Sequence, residues 1–122
     1  WRAATGTPPV VALYSARPGY EIIKQVGVEN IRTKSMRMTA HLFEKASEAG
    51  FKVNSPTDPE RRGGTVCIDF DGASKAENKL IERGFIIDYR PGGGIRVSPH
   101  FYNTIEEVDA IVEEMKKIRD GA

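Results

Sequence analysis

The residue best placed to recognise a charged small molecule is Arg96, flanked by Ile95 and Val97 in a stretch that ends at Pro99. Ile95-Arg96-Val97-Ser98 reads as a strand that the proline terminates. Successive side chains of a strand point to opposite faces, so if Ile95 and Val97 face a core, Arg96 faces away from it. A guanidinium fixed on a strand is a rigid planar fork suited to bidentate carboxylate binding. From spacing alone, an exposed or salt-bridged arginine is the more ordinary reading. The neighbouring Gly92-Gly93-Gly94 lacks the frame of a phosphate-binding loop and leads into a strand, not a helix N-terminus. It reads as a flexible turn that lets the backbone bend tightly and come close to a ligand or a neighbouring chain.

The other candidates are weaker. His41 falls inside a long helical pattern, where a surface or satisfied core histidine is expected. His100 follows Pro99, and the two histidines have no metal-ligand spacing, so no metal site is expected. Cys67, between Val66 and Ile68, reads as a small packed residue and not a reactive thiolate. No nucleophile, base and orienting acid can be assembled into a catalytic triad. Arg61-Arg62 and the group Arg32, Lys34 and Arg37 read as solvated charge, and no interleaved aromatics suggest nucleic-acid binding.

The elements that must position these residues follow from composition and pattern. With 122 residues, 39% hydrophobic and 29% charged, the chain has the make-up of one ordinary globular domain. A net charge of +1 asks for neither nucleic acid nor an anionic membrane, and no apolar run is long enough to span one. The single cysteine cannot form an internal disulfide, which fits a reducing cytosol, and a cytoplasmic location is expected. The chain opens on Trp1, and the expectation is that it belongs to a longer polypeptide.

Pro8 and Pro9 suit a helix start. Pro18-Gly19 should interrupt or kink that helix, with a second short one from about Tyr20 to Val26. A long helix follows from about Glu29 to Ala49, with Ile31, Met38, Leu42, Phe43 and Ala46 on its buried stripe. Short strands are expected at 51–53, 65–70, 85–89 and 95–98, with loop composition at 55–64. A helix capped by Asp71 or Ser74 should run to Arg83 and stop at Gly84. Thr104-Ile105-Glu106-Glu107 is a capping-box pattern opening a last helix whose core stripe is Val108, Ile111, Val112, Met115 and Ile118. The expected fold class is α+β: a small, mostly antiparallel sheet with helices packed on one face.

The segment from Asp88 to Thr104, Asp88-Tyr89-Arg90-Pro91-Gly92-Gly93-Gly94-Ile95-Arg96-Val97-Ser98-Pro99-His100-Phe101-Tyr102-Asn103-Thr104, with Glu106-Glu107-Val108 after it, resembles the C-terminal segment of kynureninases. Class-V aminotransferases share much of it. Gly6-Thr7-Pro8-Pro9-Val10, Val26 to Arg32 and Arg62 to Val66 also resemble that family, so the likeness runs essentially the whole length in the family's order. The resemblance implies the C-terminal small domain of a fold-type-I enzyme dependent on pyridoxal 5'-phosphate (PLP), residues 1–122 forming that single domain. Kynureninases hydrolyse the Cβ–Cγ bond of kynurenine to anthranilate and alanine. Arg96 matches the family arginine that binds the substrate α-carboxylate. Thr7 matches the position that reaches the cofactor phosphate of the neighbouring subunit, so a homodimer is implied.

The resemblance also places the Schiff-base lysine and the acidic partner of the pyridine nitrogen in a large domain, and no lysine of this chain matches the Schiff-base motif. The chain alone is therefore expected neither to hold PLP nor to turn over substrate, and to expose an apolar surface that the large domain would cover. A cysteine desulfurase would carry a nucleophilic cysteine shortly before the arginine motif, and Arg90 to Gly94 contains none. A class-V aminotransferase or related lyase would share the same arginine and stays open, as does a free-standing α+β binding module.

Overall fold

The computed structural model describes Gly6 and residues 8–121. Thr7, expected to reach a cofactor phosphate, lies outside the described residues. The chain divides into two compact units between Arg32 and Thr33.

The first unit is dominated by helix α1, Val10–Val26, and the opening turns of α2, Val28–Glu48. The two helices expected around Pro18-Gly19 are one continuous helix with Pro18 inside it. Proline removes a single N–H from the ladder. Side chains support the turns around the gap: Ser15 Oγ donates to the Val11 carbonyl at 2.9 Å, and Arg17 pairs with Glu21 at 2.8 Å. Gly27 ends α1 by donating its N–H to the Ile23 carbonyl, and Asn30 Nδ2 caps the Val26 carbonyl at 2.8 Å. No residue of α1 is buried, and Val11, Leu13, Tyr14 and Tyr20 stand in the open.

The second unit carries the sheet. Strands β1 (Lys52–Val53), β2 (Val66–Asp69), β3 (Asp88–Arg90) and β4 (Gly94–Val97) lie in the order β1-β2-β4-β3, and each neighbouring pair is antiparallel. Burial alternates along β2 and β4, so Val66, Ile68, Ile95 and Val97 share one covered face. Against them pack Met38, Leu42 and Ala46 of α2, Ala76 and Leu80 of α3 (Ala73–Glu82), and Val108, Ile111, Val112 and Met115 of α4 (Ile105–Arg119). This is the α+β layer expected from the pattern. Ile31 and Phe43 are only half-buried, and Thr39 takes a core place instead, its hydroxyl donating to the Ser35 carbonyl at 2.9 Å.

Two boundaries differ from expectation. Strand β3 begins at Asp88 and not at Phe85, because α3 uses the intervening backbone to finish itself. Phe85 donates to the Leu80 carbonyl and Gly84 to that of Ile81, the paired bonds of a Schellman stop, with Gly84 at φ 90°. Ile86 is left fully exposed. The N-cap of α3 is Gly72, at φ 88°, and neither Asp71 nor Ser74. The capping box of α4 forms as read: Glu107 N–H donates to Thr104 Oγ1 at 3.3 Å, and Thr104 N–H to Glu107 Oε2 at 2.8 Å.

Candidate functional site: a carboxylate fork on the outer face of the sheet

The site is built on the β3–β4 hairpin. Arg90-Pro91-Gly92-Gly93 closes it, with Gly93 N–H donating to the Arg90 carbonyl at 2.9 Å and Gly92 at φ 77°. Proline followed by a left-handed glycine is the signature of a type II turn. The turn sets Arg90 opposite Gly94, Tyr89 opposite Ile95 and Asp88 opposite Arg96. On its other side β4 pairs with β2, which sets Cys67 opposite Arg96. Gly94 is buried at φ 91°, and a Cβ there would lie 2.4 Å from the Ile68 carbonyl oxygen. The glycine run is thus more than a flexible turn: its last member is what lets β4 approach β2.

With Ile95 and Val97 buried, Arg96 emerges on the outer face, as alternation requires. Its guanidinium is already engaged. Nε donates to Asp88 Oδ1 at 2.8 Å and Nη2 to Asp88 Oδ2 at 2.6 Å, a bidentate pair across the two strands. Arg90 Nε also reaches Asp88 Oδ2, at 2.9 Å. The hydrogen bond from Arg96 holds the Asp88 carboxyl below its ordinary range; partial desolvation opposes this, and the charges of Arg96 and Arg90 reinforce it. The same bond raises the Arg96 pKa. Two features of this arrangement bear on chemistry. Asp88 occupies one edge of the fork, and the Nη1 side of Arg96 has no protein partner among the described residues. Two arginines against one aspartate also leave the cluster with one uncompensated positive charge.

Asp88 was not singled out from the sequence. Counting two residues outward from Arg90 and Gly94, the pair that flanks Pro91-Gly92-Gly93, sets it opposite Arg96, because an antiparallel hairpin fixes its register at the turn.

The remaining candidates have structural partners. His41 Nε2 lies 2.6 Å from Asp109 Oδ1, joining α2 to α4 as a satisfied histidine. His100 stacks on Tyr102 with ring centroids 4.5 Å apart, and its backbone N–H donates to Asn103 Oδ1. Cys67 is half-buried in β2. Arg62 is not solvated charge: it is 6% exposed, donates from Nη1 to the carbonyls of Pro56 and Thr57, and lies over the Phe43 ring at 4.8 Å. Lys34 likewise is tied down, donating to the Phe101 carbonyl at 2.6 Å.

Among the described residues nothing is shaped to cradle the phosphate of PLP. The glycine run enters β4 and not the N-terminus of a helix. The Nη1 end of Arg96 presents N–H donors of the kind that a carboxylate accepts.

The Kynureninase C-terminal domain family matches residues 31–115, which include the whole sheet, the hairpin and most of α4. The chain belongs to that family. The kynureninase of Geobacillus thermodenitrificans is 35% identical and that of Bacillus anthracis 34%, each over 93% of this chain. The chain spans 28% of the length of each. In three dimensions, an apo structure of cysteine desulfurase from Thermococcus onnurineus NA1 superposes with a TM-score of 0.86 at 19% identity, over 99% of this chain and 34% of that one. That likeness establishes a shared fold. The kynureninase C-terminal domain described here therefore corresponds to one part of a larger chain in its relatives. Among the described residues no helix is long and apolar enough to cross a membrane.

Proposed function

We propose that this kynureninase C-terminal domain grips the substrate of a PLP-dependent enzyme that hydrolyses kynurenine to anthranilate and alanine, with Arg96 receiving the α-carboxylate. The supporting observation is the half-occupied fork on β4: one edge of Arg96 is held by Asp88 and the other faces outward with net positive charge around it. PLP, bound through a lysine of the large domain, would serve as electron sink for the amino-acid substrate. The contribution of this chain is positional. A carboxylate held bidentately cannot rotate freely, so the amino acid presents its Cα–H in a fixed direction. Thr7 as a phosphate contact to the neighbouring subunit of a cytoplasmic homodimer is part of the same proposal, carried by the resemblance of the Gly6-Thr7-Pro8-Pro9 segment.

The test is Arg96→Lys in the full-length enzyme. An ammonium offers a point charge where the guanidinium offers a planar fork. Losing one charge-assisted hydrogen bond costs about 1.5–3 kcal/mol, so kcat/KM for kynurenine should fall on the order of ten- to a hundredfold. The visible absorbance of bound PLP should be unchanged. An Arg96→Lys enzyme with wild-type kcat/KM removes the assignment.

A further inference from the structure

We infer that Asp88 is a positioning residue for the substrate carboxylate, acting through Arg96; the inference rests on the reading of Arg96 given above. An arginine presents five N–H donors. Asp88 takes two of them, Nε and one on Nη2, at 2.8 and 2.6 Å, from a strand directly opposite in register. That leaves the end of the fork formed by Nη1 and the second Nη2 donor to meet a ligand, and it locks the plane of the guanidinium. A free arginine on the outer face would sample many rotamers, and each substrate would have to order it on binding. With Asp88 in place that ordering is built into the folded hairpin. Arg90 closes the device from the turn side, its Nε 2.9 Å from Asp88 Oδ2, so the carboxylate itself is held from two directions.

Asp88 has two opposed effects on an incoming carboxylate, and they separate experimentally. As a negative charge close to the site it repels the ligand, so removing its charge alone should strengthen binding. As the clamp of Arg96 it presents the fork, so removing it should weaken binding and orientation. The pair is partly exposed, where charge effects are screened and small, whereas misplacing a positioning group is costly. Positioning should therefore prevail.

The experiment uses the full-length enzyme and kynurenine. Asp88→Asn keeps the shape and drops the charge. We expect KM to rise about tenfold, with kcat/KM falling at least as much and the PLP absorbance unchanged. Asp88→Glu, which restores an ionised acceptor on a longer stem, should recover part of the loss. In an Arg96→Lys background, Asp88→Asn should add almost nothing, because the partner it positions is already gone. A lower KM in Asp88→Asn, wild-type kinetics in it, or a loss that simply adds to that of Arg96→Lys each overturns the inference. If Arg96→Lys alone leaves kcat/KM unchanged, the reading of Arg96 fails instead, so the two failures are distinguishable.

Discussion

The glycine run offers the sharpest test of how the hairpin is built, because its three members are constrained in different ways. Gly93 has no left-handed φ, and an added Cβ would meet Arg90 at an ordinary 3.5 Å. Gly92 has φ 77° with nothing within 4 Å, so Gly92→Ala carries only the conformational penalty of an L-residue, about 1–2 kcal/mol. Gly94 has φ 91° and a steric conflict as well, since a Cβ would sit 2.4 Å from the Ile68 oxygen and 2.9 Å from the Asp69 Cβ. The obstacle is backbone in the paired strand β2, which cannot swing aside as a long side chain would. Relieving it means moving β2 and β4 apart, an overpacking cost of about 1–3 kcal/mol on top of the strain. Gly94→Ala should thus cost about 2–5 kcal/mol, against about 1–2 for Gly92→Ala and little for Gly93→Ala. Hydrogen exchange read at the β2 and β4 amides measures the local opening free energy directly. The expected ranking is strong loss of protection for Gly94→Ala, modest loss for Gly92→Ala and near wild-type protection for Gly93→Ala. If Gly94→Ala protects these amides as well as Gly92→Ala does, the close approach of β4 to β2 is not what demands glycine, and the reasoning fails.

Two further outcomes follow from groups away from the hairpin. Arg62→Ala removes two hydrogen bonds to the Pro56 and Thr57 carbonyls and the cation over Phe43, so the midpoint of urea unfolding should fall by an amount equivalent to about 2–3 kcal/mol, with an unchanged slope. Glu107 is held below its ordinary 4.5 by the Thr104 N–H first and the Asn103 amide second. A carboxyl whose folded pKa is depressed stabilises fully above its unfolded value and loses that stabilisation as pH falls through the folded one. Stability against urea should therefore decline from about pH 5 downward, and Glu107→Gln should make that decline shallower; an acid limb of the same slope would contradict it.

Where local rules and tertiary packing agreed, the fold was legible from residue types. The alternation of Ile95, Arg96 and Val97 placed the fork on the outer face, and Thr104 with Glu107 named the start of α4. The departures have specific causes. Pro18 reads as a break because it lacks an N–H, yet one missing bond in seventeen residues is a local cost that the remaining ladder offsets. Phe85-Ile86-Ile87 reads as a strand because it is apolar, but the Schellman stop of α3 had a prior claim on the Phe85 N–H. Arg62 reads as solvated charge because nothing local shows that a loop will fold its carbonyls back onto the guanidinium. Asp88 is the instructive omission. Its role depends on a partner eight residues away, and composition is silent about pairing, whereas the turn that fixes the register was already in view.

The same register explains why the fork and the fold are separable. Strand β4 is interior, with β2 on one side and β3 on the other, and its inward residues Ile95 and Val97 are buried. Main-chain pairing and that burial hold the backbone of Arg96 whether or not its side chain has a partner. The Asp88–Arg96 bridge lies on the opposite, solvent-facing side, where screening leaves an ion pair little to add to stability. A contact that contributes so little to folding and yet takes up two of the fork's donors has its consequence in orientation. Changing Asp88 should therefore leave the sheet intact and alter what Arg96 can hold.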